Sequence, residues 1–383
     1  MSFKVLICDH VGLAFDTNGA PAPTEVKAYI EAKGGVFHFG AEGEALKDKI
    51  NFYYAPDLST RDELLNAAAN GQFDAVIAAA TFIPTECAFR LGGVRIGAGT
   101  GNMGSASWGG PNGLGGAAPL MNTPGFNARA TAQMTMKALL HFRPTLPFSE
   151  LHTRVVAGTF DTGKHLRDFP TAKLEGQTIA ILGYGNIGRE VAKPAAAFGM
   201  RVKVYAREKH HARIATDGFS AVASAVEAAK SADVISIHTG LGAVDPATGR
   251  PANLGLINDE IFAALNKGST LLNFDRGECV DTAALERAMA SGHVANAAID
   301  ADIFNIGGNL SGPMLPYLPL AKKFANRILL LPHAAADTDH PSRVAGAKQA
   351  VDQIFDAILH KRITNLKGDL PQGYTSAGVK LGV

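Results

Sequence analysis

The chain has 383 residues, too many for one ordinary core and suited to two, since domains usually run ~100–200 residues. Hydrophobic residues make up 46% and charged residues 19%, which fits a globular protein and excludes a disordered or fibrous one. Lys+Arg is 36 against Asp+Glu 35, a net charge of +1 without long runs of one sign, so the basic footprint that a nucleic-acid backbone demands is missing.

Strand-like and helix-like runs alternate from the start. A strand is expected over 4–8, a helix over 24–33, strands over 36–39, 74–78 and 94–97, and a helix over 61–69. That order is the βαβα signature of a parallel sheet covered on both faces. From 99 to 116 the pattern gives way to a loop rich in Gly, Ser, Pro and Asn that holds the single tryptophan, Trp108. Asn122-Thr-Pro-Gly-Phe-Asn127 leads into a helix over 128–142, closed by Arg143-Pro144. A second alternating series follows. Strands are expected over 178–182, 201–205, 234–238, 270–273, 297–300 and 328–331, and helices over 186–198, 221–229, 259–265 and 283–290. An amphipathic helix over 344–359 ends the pattern.

Cys8, Cys87 and Cys279 are odd in number, far apart and without CxxC spacing, so neither a disulfide framework nor a cysteine zinc site is indicated. The opening residues lack the features of a secretory signal, and no apolar run approaches the ~18 residues of a spanning helix. A cytoplasmic protein with a small-molecule partner is the expectation, without nucleic acid, membrane or metal.

Gly183-Tyr184-Gly185-Asn186-Ile187-Gly188 ends an apolar run and opens a helix, the context that gives a GxGxxG string its meaning. Gly183 permits the tight turn, Gly185 lets backbone approach a pyrophosphate, and Gly188 lets helix and strand pack closely. The helix amides and dipole then favour the negative charge. About 20 residues on, an NAD site wants an acid for the ribose 2′-OH. Here Ala206 occupies that place, with Arg207 and Lys209 beside it. A small residue with cations suits a 2′-phosphate, so NADP(H) is preferred over NAD(H). Glu208 is the counter-argument, one short shift of register away.

Three further stretches sit in order behind this fingerprint. They are Asn273-Phe-Asp-Arg276-Gly-Glu-Cys-Val-Asp281, Ala297-Ala-Ile-Asp300-Ala-Asp302-Ile-Phe304 and Leu331-Pro-His333-Ala-Ala-Ala-Asp-Thr338. Together with 122–127 they resemble the D-isomer-specific 2-hydroxyacid dehydrogenase family. The resemblance implies an α/β fold of two doubly wound Rossmann-like domains, the coenzyme domain inserted into the substrate (catalytic) domain. On this chain the flavodoxin-like substrate domain would be 1–125 with 333–383, and the NAD(P)-binding domain 126–332. It also implies a homodimer and the interconversion of a 2-oxo acid and its D-2-hydroxy acid.

By the same resemblance Arg276 binds and polarises the substrate, and His333 is the acid/base. A guanidinium fork suits a carboxylate and carbonyl together, and His is the side chain that exchanges a proton near neutral pH. The carboxylate-binding loop corresponds to 97–102, with the amides of Ala98 and Gly99 and the neighbouring Thr100 and Asn102. Asp300 would contact the nicotinamide carboxamide, and His238, Thr239 and Phe274 would line the cofactor. The family's Glu, which orients the His and favours its charged form, is absent. Counting from Asp300 reaches Asn305, and a two-residue slip reaches Gly307. Either Asn305 orients His333 as a neutral partner, or Asp302 bends in, or His333 stands unpaired; Asn305 is the working expectation. The unusual 99–116 loop suggests that Trp108 contacts a bulkier or aromatic substrate. A non-catalytic dinucleotide sensor like the family's corepressor relatives, or a formate-type or other non-standard dehydrogenase, is the alternative reading.

Overall fold

Strands and helices collect into two compact units, Met1–Asn127 with Asp337–Val383, and Ala128–Ala336. This computed structural model describes all residues except 18, 20, 21, 59, 307, 334–338 and 383. The cuts lie a few residues beyond the expected 125 and 332. The first coincides with the start of the helix Ala128–His141, and the second precedes Asp339, whose side chain caps the helix His340–His360 through Ser342 N.

The first unit is built on β1 (Phe3–Ile7), β2 (Val36–Phe39), β3 (Ile50–Tyr54), β4 (Ala75–Ala78), β5 (Gly92–Arg95) and β6 (Leu120–Asn122). They are parallel in the order β6-β5-β4-β1-β3-β2, and Leu366–Lys367 adds an antiparallel edge to β6. Alternation along β1 sends Val5 and Ile7 to a core with Val26, Ile30, Val351 and Ile354, under the helices Thr24–Ala32 and His340–His360. Leu6 and Cys8 face the opposite core with Leu64, Phe89 and Trp108. The helix Arg61–Ala68 starts in a capping box between Thr60 and Glu63. Sequence patterning missed β3, because all five of its residues are buried and a strand covered on both faces shows no alternation. It also placed β5 two residues late.

The second unit adds β7 (Thr178–Leu182), β8 (Arg201–Tyr205), β9 (Ser220–Val222), β10 (Val234–Ile237), β11 (Ser269–Asn273), β12 (Val294–Asp300), the hairpin β13 (Phe304–Ile306) and β14 (Asn309–Ser311), and β15 (Ile328–Leu331). Its main sheet is parallel, in the order β15-β12-β11-β10-β7-β8-β9. Apolar residues cover both faces, with Leu182, Ile235 and Leu271 on one side and Ile181, Val204 and Leu272 on the other. Strand order reverses between β7 and β10, the point at which open α/β sheets receive ligands beyond their strand ends. The helix Phe148–Val156 buries none of its residues. Among the described residues, no helix is long and apolar enough to cross a membrane.

Candidate active site

The reversal point of the second unit carries the glycine fingerprint. Gly183 has φ +96, and a Cβ there would stand 2.2 Å from His238 O, so the strand-end turn runs against the neighbouring loop. A Cβ on Gly188 would stand 2.1 Å from Gly183 O, which holds helix and turn in contact. Gly185 is exposed, with nothing within 4 Å of its Cβ position. It is also the N-cap of the helix Asn186–Ala197 and offers no side-chain cap, so the first-turn amides are left to an outside acceptor. Asn186 and Ile187 are half-buried on that first turn. Tyr184 is buried and braces the turn from below, its hydroxyl donating to Asp217 Oδ2 at 3.0 Å.

His238 is buried at the end of β10. Burial pushes its ring down to about 3, so it is neutral, and Nε2 meets Ser236 Oγ at 2.8 Å. Its Nδ1 is buried without a hydrogen-bond partner among the described residues. An uncapped helix start and an orphaned imidazole nitrogen at one sheet edge fit a dinucleotide with a polar head. Thr239 is half-buried, whereas Phe274 and Asp300 are buried at the ends of β11 and β12. After β8, Ala206 is half-buried while Arg207, Glu208 and Lys209 are exposed. Burial, Arg207, Lys209 and His211 all push the His210 ring below its usual range, which marks this turn as a focus of positive charge.

Three reactive side chains meet at the ends of β11, β12 and β15. Arg276 Nη1 stands 3.6 Å from Asp302 Oδ2, and His333 Nδ1 stands 3.5 Å from Asp302 Oδ1. Asp302 therefore bridges the guanidinium and the imidazole, one oxygen to each. His333 has φ +55, a strained conformation for a non-glycine residue, with its amide folded back onto Leu331 O at 2.9 Å. Gly277 keeps the Arg276 loop close, since a Cβ there would stand 3.0 Å from the Cβ atoms of Ala301 and Pro313. Tyr317 donates to Gly277 O at 2.6 Å.

Asn305 is not brought to His333. It is exposed in the β13–β14 hairpin, and its Oδ1 accepts from Gly308 N at 3.0 Å, closing the turn. Counting along the chain assumes a continuous path from Asp300, but Phe304–Ile306 pair with Asn309–Ser311 in a hairpin. Gly307 and the motif residues 334–338 lie outside the described residues. Patterning also assigned nothing to Asp275, although an acid directly before the reactive Arg is visible in the motif.

In the first unit, Gly97 has φ +114 and donates to Thr123 Oγ1 at 2.9 Å. Ala98 O accepts from Asn122 Nδ2 at 2.6 Å, Thr100 Oγ1 donates to Pro111 O at 2.6 Å, and Asn102 Nδ2 donates to Thr81 O at 2.7 Å. These bonds fix a loop in which the amides of Ala98 and Gly99 have no acceptor among the described residues. Arg95, which sequence patterning also left without a role, places Nη1 1.8 Å from where a Gly97 Cβ would be. Trp108 corrects its expectation. It is fully buried, donates from Nε1 to Met103 O at 2.8 Å and stacks on Phe89 at 6.0 Å. A large apolar ring in a loop of glycines is the piece that anchors that loop to the core, so it offers no face to a substrate.

Residues 139–335 match the family model described as D-isomer specific 2-hydroxyacid dehydrogenase, NAD binding domain. D-3-phosphoglycerate dehydrogenase of Rattus norvegicus is 31% identical over 67% of this chain and 43% of its own length. The chain thus spans less than half of that relative. Glyoxylate reductase of Aeropyrum pernix is 31% identical over 61% of this chain and 64% of its own. The solved structure of a glyoxylate reductase from Paecilomyes thermophila superposes with TM-score 0.65 at 22% identity, covering 95% of this chain and 98% of that one. The fingerprint, the Arg276 and His333 motifs and the match over 139–335 agree, and the chain belongs to the D-isomer-specific 2-hydroxyacid dehydrogenase family.

Proposed function

We propose that the chain is an NAD(P)(H)-dependent oxidoreductase that interconverts a 2-oxo acid and its D-2-hydroxy acid. The observation that carries this reading is the Arg276–Asp302–His333 array, set on the same sheet edge as the glycine cradle. A bound dihydronicotinamide supplies the hydride. Arg276 holds the substrate's carboxylate and carbonyl oxygens with its fork and draws charge from the carbonyl. His333 donates a proton to the carbonyl oxygen as the carbon is reduced, and in the reverse direction removes it from the hydroxyl. Asp302 takes the part of the family's Glu: it holds the ring of His333 and gives its charged form a counter-ion.

Gly183, Tyr184, Gly185, Asn186, Ile187 and Gly188 would hold the pyrophosphate. Asp300, His238, Thr239 and Phe274 would take the nicotinamide end. The positive turn at Arg207 and Lys209, with Ala206 in the usual acid's place, supports a preference for NADP(H). In the first unit, the amides of Ala98 and Gly99 would take an anionic group such as a carboxylate. A homodimer is also part of this reading. Phe148, Val155 and Val156 are exposed on a helix that buries nothing in its own unit, which suits a second copy of the chain.

The test follows absorbance at the nicotinamide band with NADPH and with NADH, against 2-oxo acids from glyoxylate to phenylpyruvate and including 3-phosphohydroxypyruvate. Turnover that disappears in Arg276→Ala and His333→Ala is the expected result. Turnover that survives both substitutions would overturn the assignment.

A further inference from the structure

Asp275 stands directly before Arg276, and the reaction as described makes no use of it. Its Oδ2 accepts a hydrogen bond from the amide of Gly240, in the loop that follows β10. The Gly240 carbonyl is held in turn by Asn253 Nδ2 at 2.9 Å and approached by Cys279 Sγ at 3.6 Å. The amide of Asp275 donates to Asn273 Oδ1 at 3.2 Å, and Asn273 Nδ2 donates to Arg276 O at 2.9 Å. The loop that carries Arg276 is therefore laced to itself by Asn273 and to its neighbour by Asp275.

The charges around this carboxylate are mixed. Arg276 and His333 attract it, while Glu278 repels it. Burial pushes its carboxyl up, and the Gly240 amide, Arg276 and His333 oppose that push without cancelling it. Such a charge costs the fold stability, and an uncharged residue of the same shape could accept from Gly240 equally well, so what the charge itself supplies is an effect on the site.

We propose that Asp275 is a positioning residue, clamping the Arg276 loop to Gly240 and giving the Arg276–His333 pair a second negative neighbour beside Asp302. The proposal rests on the functional reading above. Without the Asp275 charge, Arg276 attracts an anionic substrate more strongly, and KM for the oxo acid falls.

Asp275→Asn keeps the size and the acceptor and removes only the charge. Its unfolding is compared with the wild type across pH, without ligand. Folding raises the Asp275 carboxyl, so the wild type is at no disadvantage below the ordinary carboxylate range and loses ground as pH rises through the folded value. The variant then has the higher Tm at neutral pH, and the gap closes toward acid. KM for the preferred oxo acid and Kd for oxalate, measured by calorimetry, each fall roughly threefold. Asp275→Ala also loses the clamp, and its kcat drops roughly tenfold beyond that of the Asn variant.

A Tm for Asp275→Asn below the wild type at every pH, with kinetics unchanged, would make Asp275 merely structural and overturn the proposal. Unchanged KM and oxalate affinity would overturn it equally. If the wild type reduces no oxo acid, the functional reading fails on its own account. The unfolding and oxalate measurements need no turnover and still decide the role of Asp275.

Discussion

Replacing Asp302 by Asn removes one charge from the centre of the reactive array and leaves its shape intact. Asp302 stands 3.5 Å from His333 Nδ1 and 3.6 Å from Arg276 Nη1, distances of ion pairs rather than of tight hydrogen bonds. Coulomb's law at 3.5 Å gives about 1 kcal/mol in bulk-water dielectric and about 5 kcal/mol at an effective dielectric near 20. The side chains are 37% exposed for Asp302 and 23% for His333, so solvent screens the pair and the lower end applies. About 1.4 kcal/mol corresponds to a factor of ten in rate. The carboxylate orients the imidazole and faces the charge of Arg276, so its loss costs the reaction about that much stabilisation. In the reduction direction, kcat for Asp302→Asn therefore falls roughly five- to tenfold below the wild type. Initial rates at saturating cofactor and oxo acid read this directly. A kcat that stays in place, or rises, would refute the bridging role.

Four other outcomes follow from the same geometry. Asn305→Ala loses the hairpin bond to Gly308, so it costs about 1 kcal/mol or less in urea unfolding and leaves kcat/KM unchanged. Trp108→Ala empties a fully buried site and destabilises by about 3–5 kcal/mol, while relative kcat/KM across small and large oxo acids stays constant. His238, pushed down from 6.5 to about 3, opposes acid: its contribution is intact above the unfolded value and is lost as pH falls. At about pH 5 that loss is about 2 kcal/mol, and the acid sensitivity of Tm should be correspondingly smaller in His238→Asn. Arg207→Ala with Lys209→Ala should raise KM for NADPH severalfold more than KM for NADH; an equal change would remove those residues from 2′-phosphate binding.

Much of the fold was legible because its signals are local. The run Thr178–Leu182 before Gly183 and the helix start after Gly185 announce a strand–turn–helix whose glycines the turn geometry requires. What patterning missed has physical reasons. Ile50–Tyr54 is buried throughout and shows no alternation, and Phe148–Val156 leaves its apolar side chains outside its own unit's core. At the site, Arg276 and His333 could be named from their motifs. The partner of His333 stayed open between Asn305 and Asp302, because the choice depends on where the chain turns after Asp300. The hairpin of Phe304–Ile306 with Asn309–Ser311 carries Asn305 away, while Asp302 stays 3.5 Å from His333. Trp108 was misread for a related reason: composition marks a loop as exposed, whereas one large ring can anchor it inside.

The measurement that tests the account most directly is a single-turnover hydride transfer with NADPH and the preferred 2-oxo acid, run side by side on the wild type, Arg276→Ala, His333→Ala and Asp302→Asn. The wild type should oxidise NADPH, the first two variants should lose that oxidation, and the third should be slowed roughly five- to tenfold. Oxidation that is equally fast in His333→Ala or in Asp302→Asn would contradict the assignment.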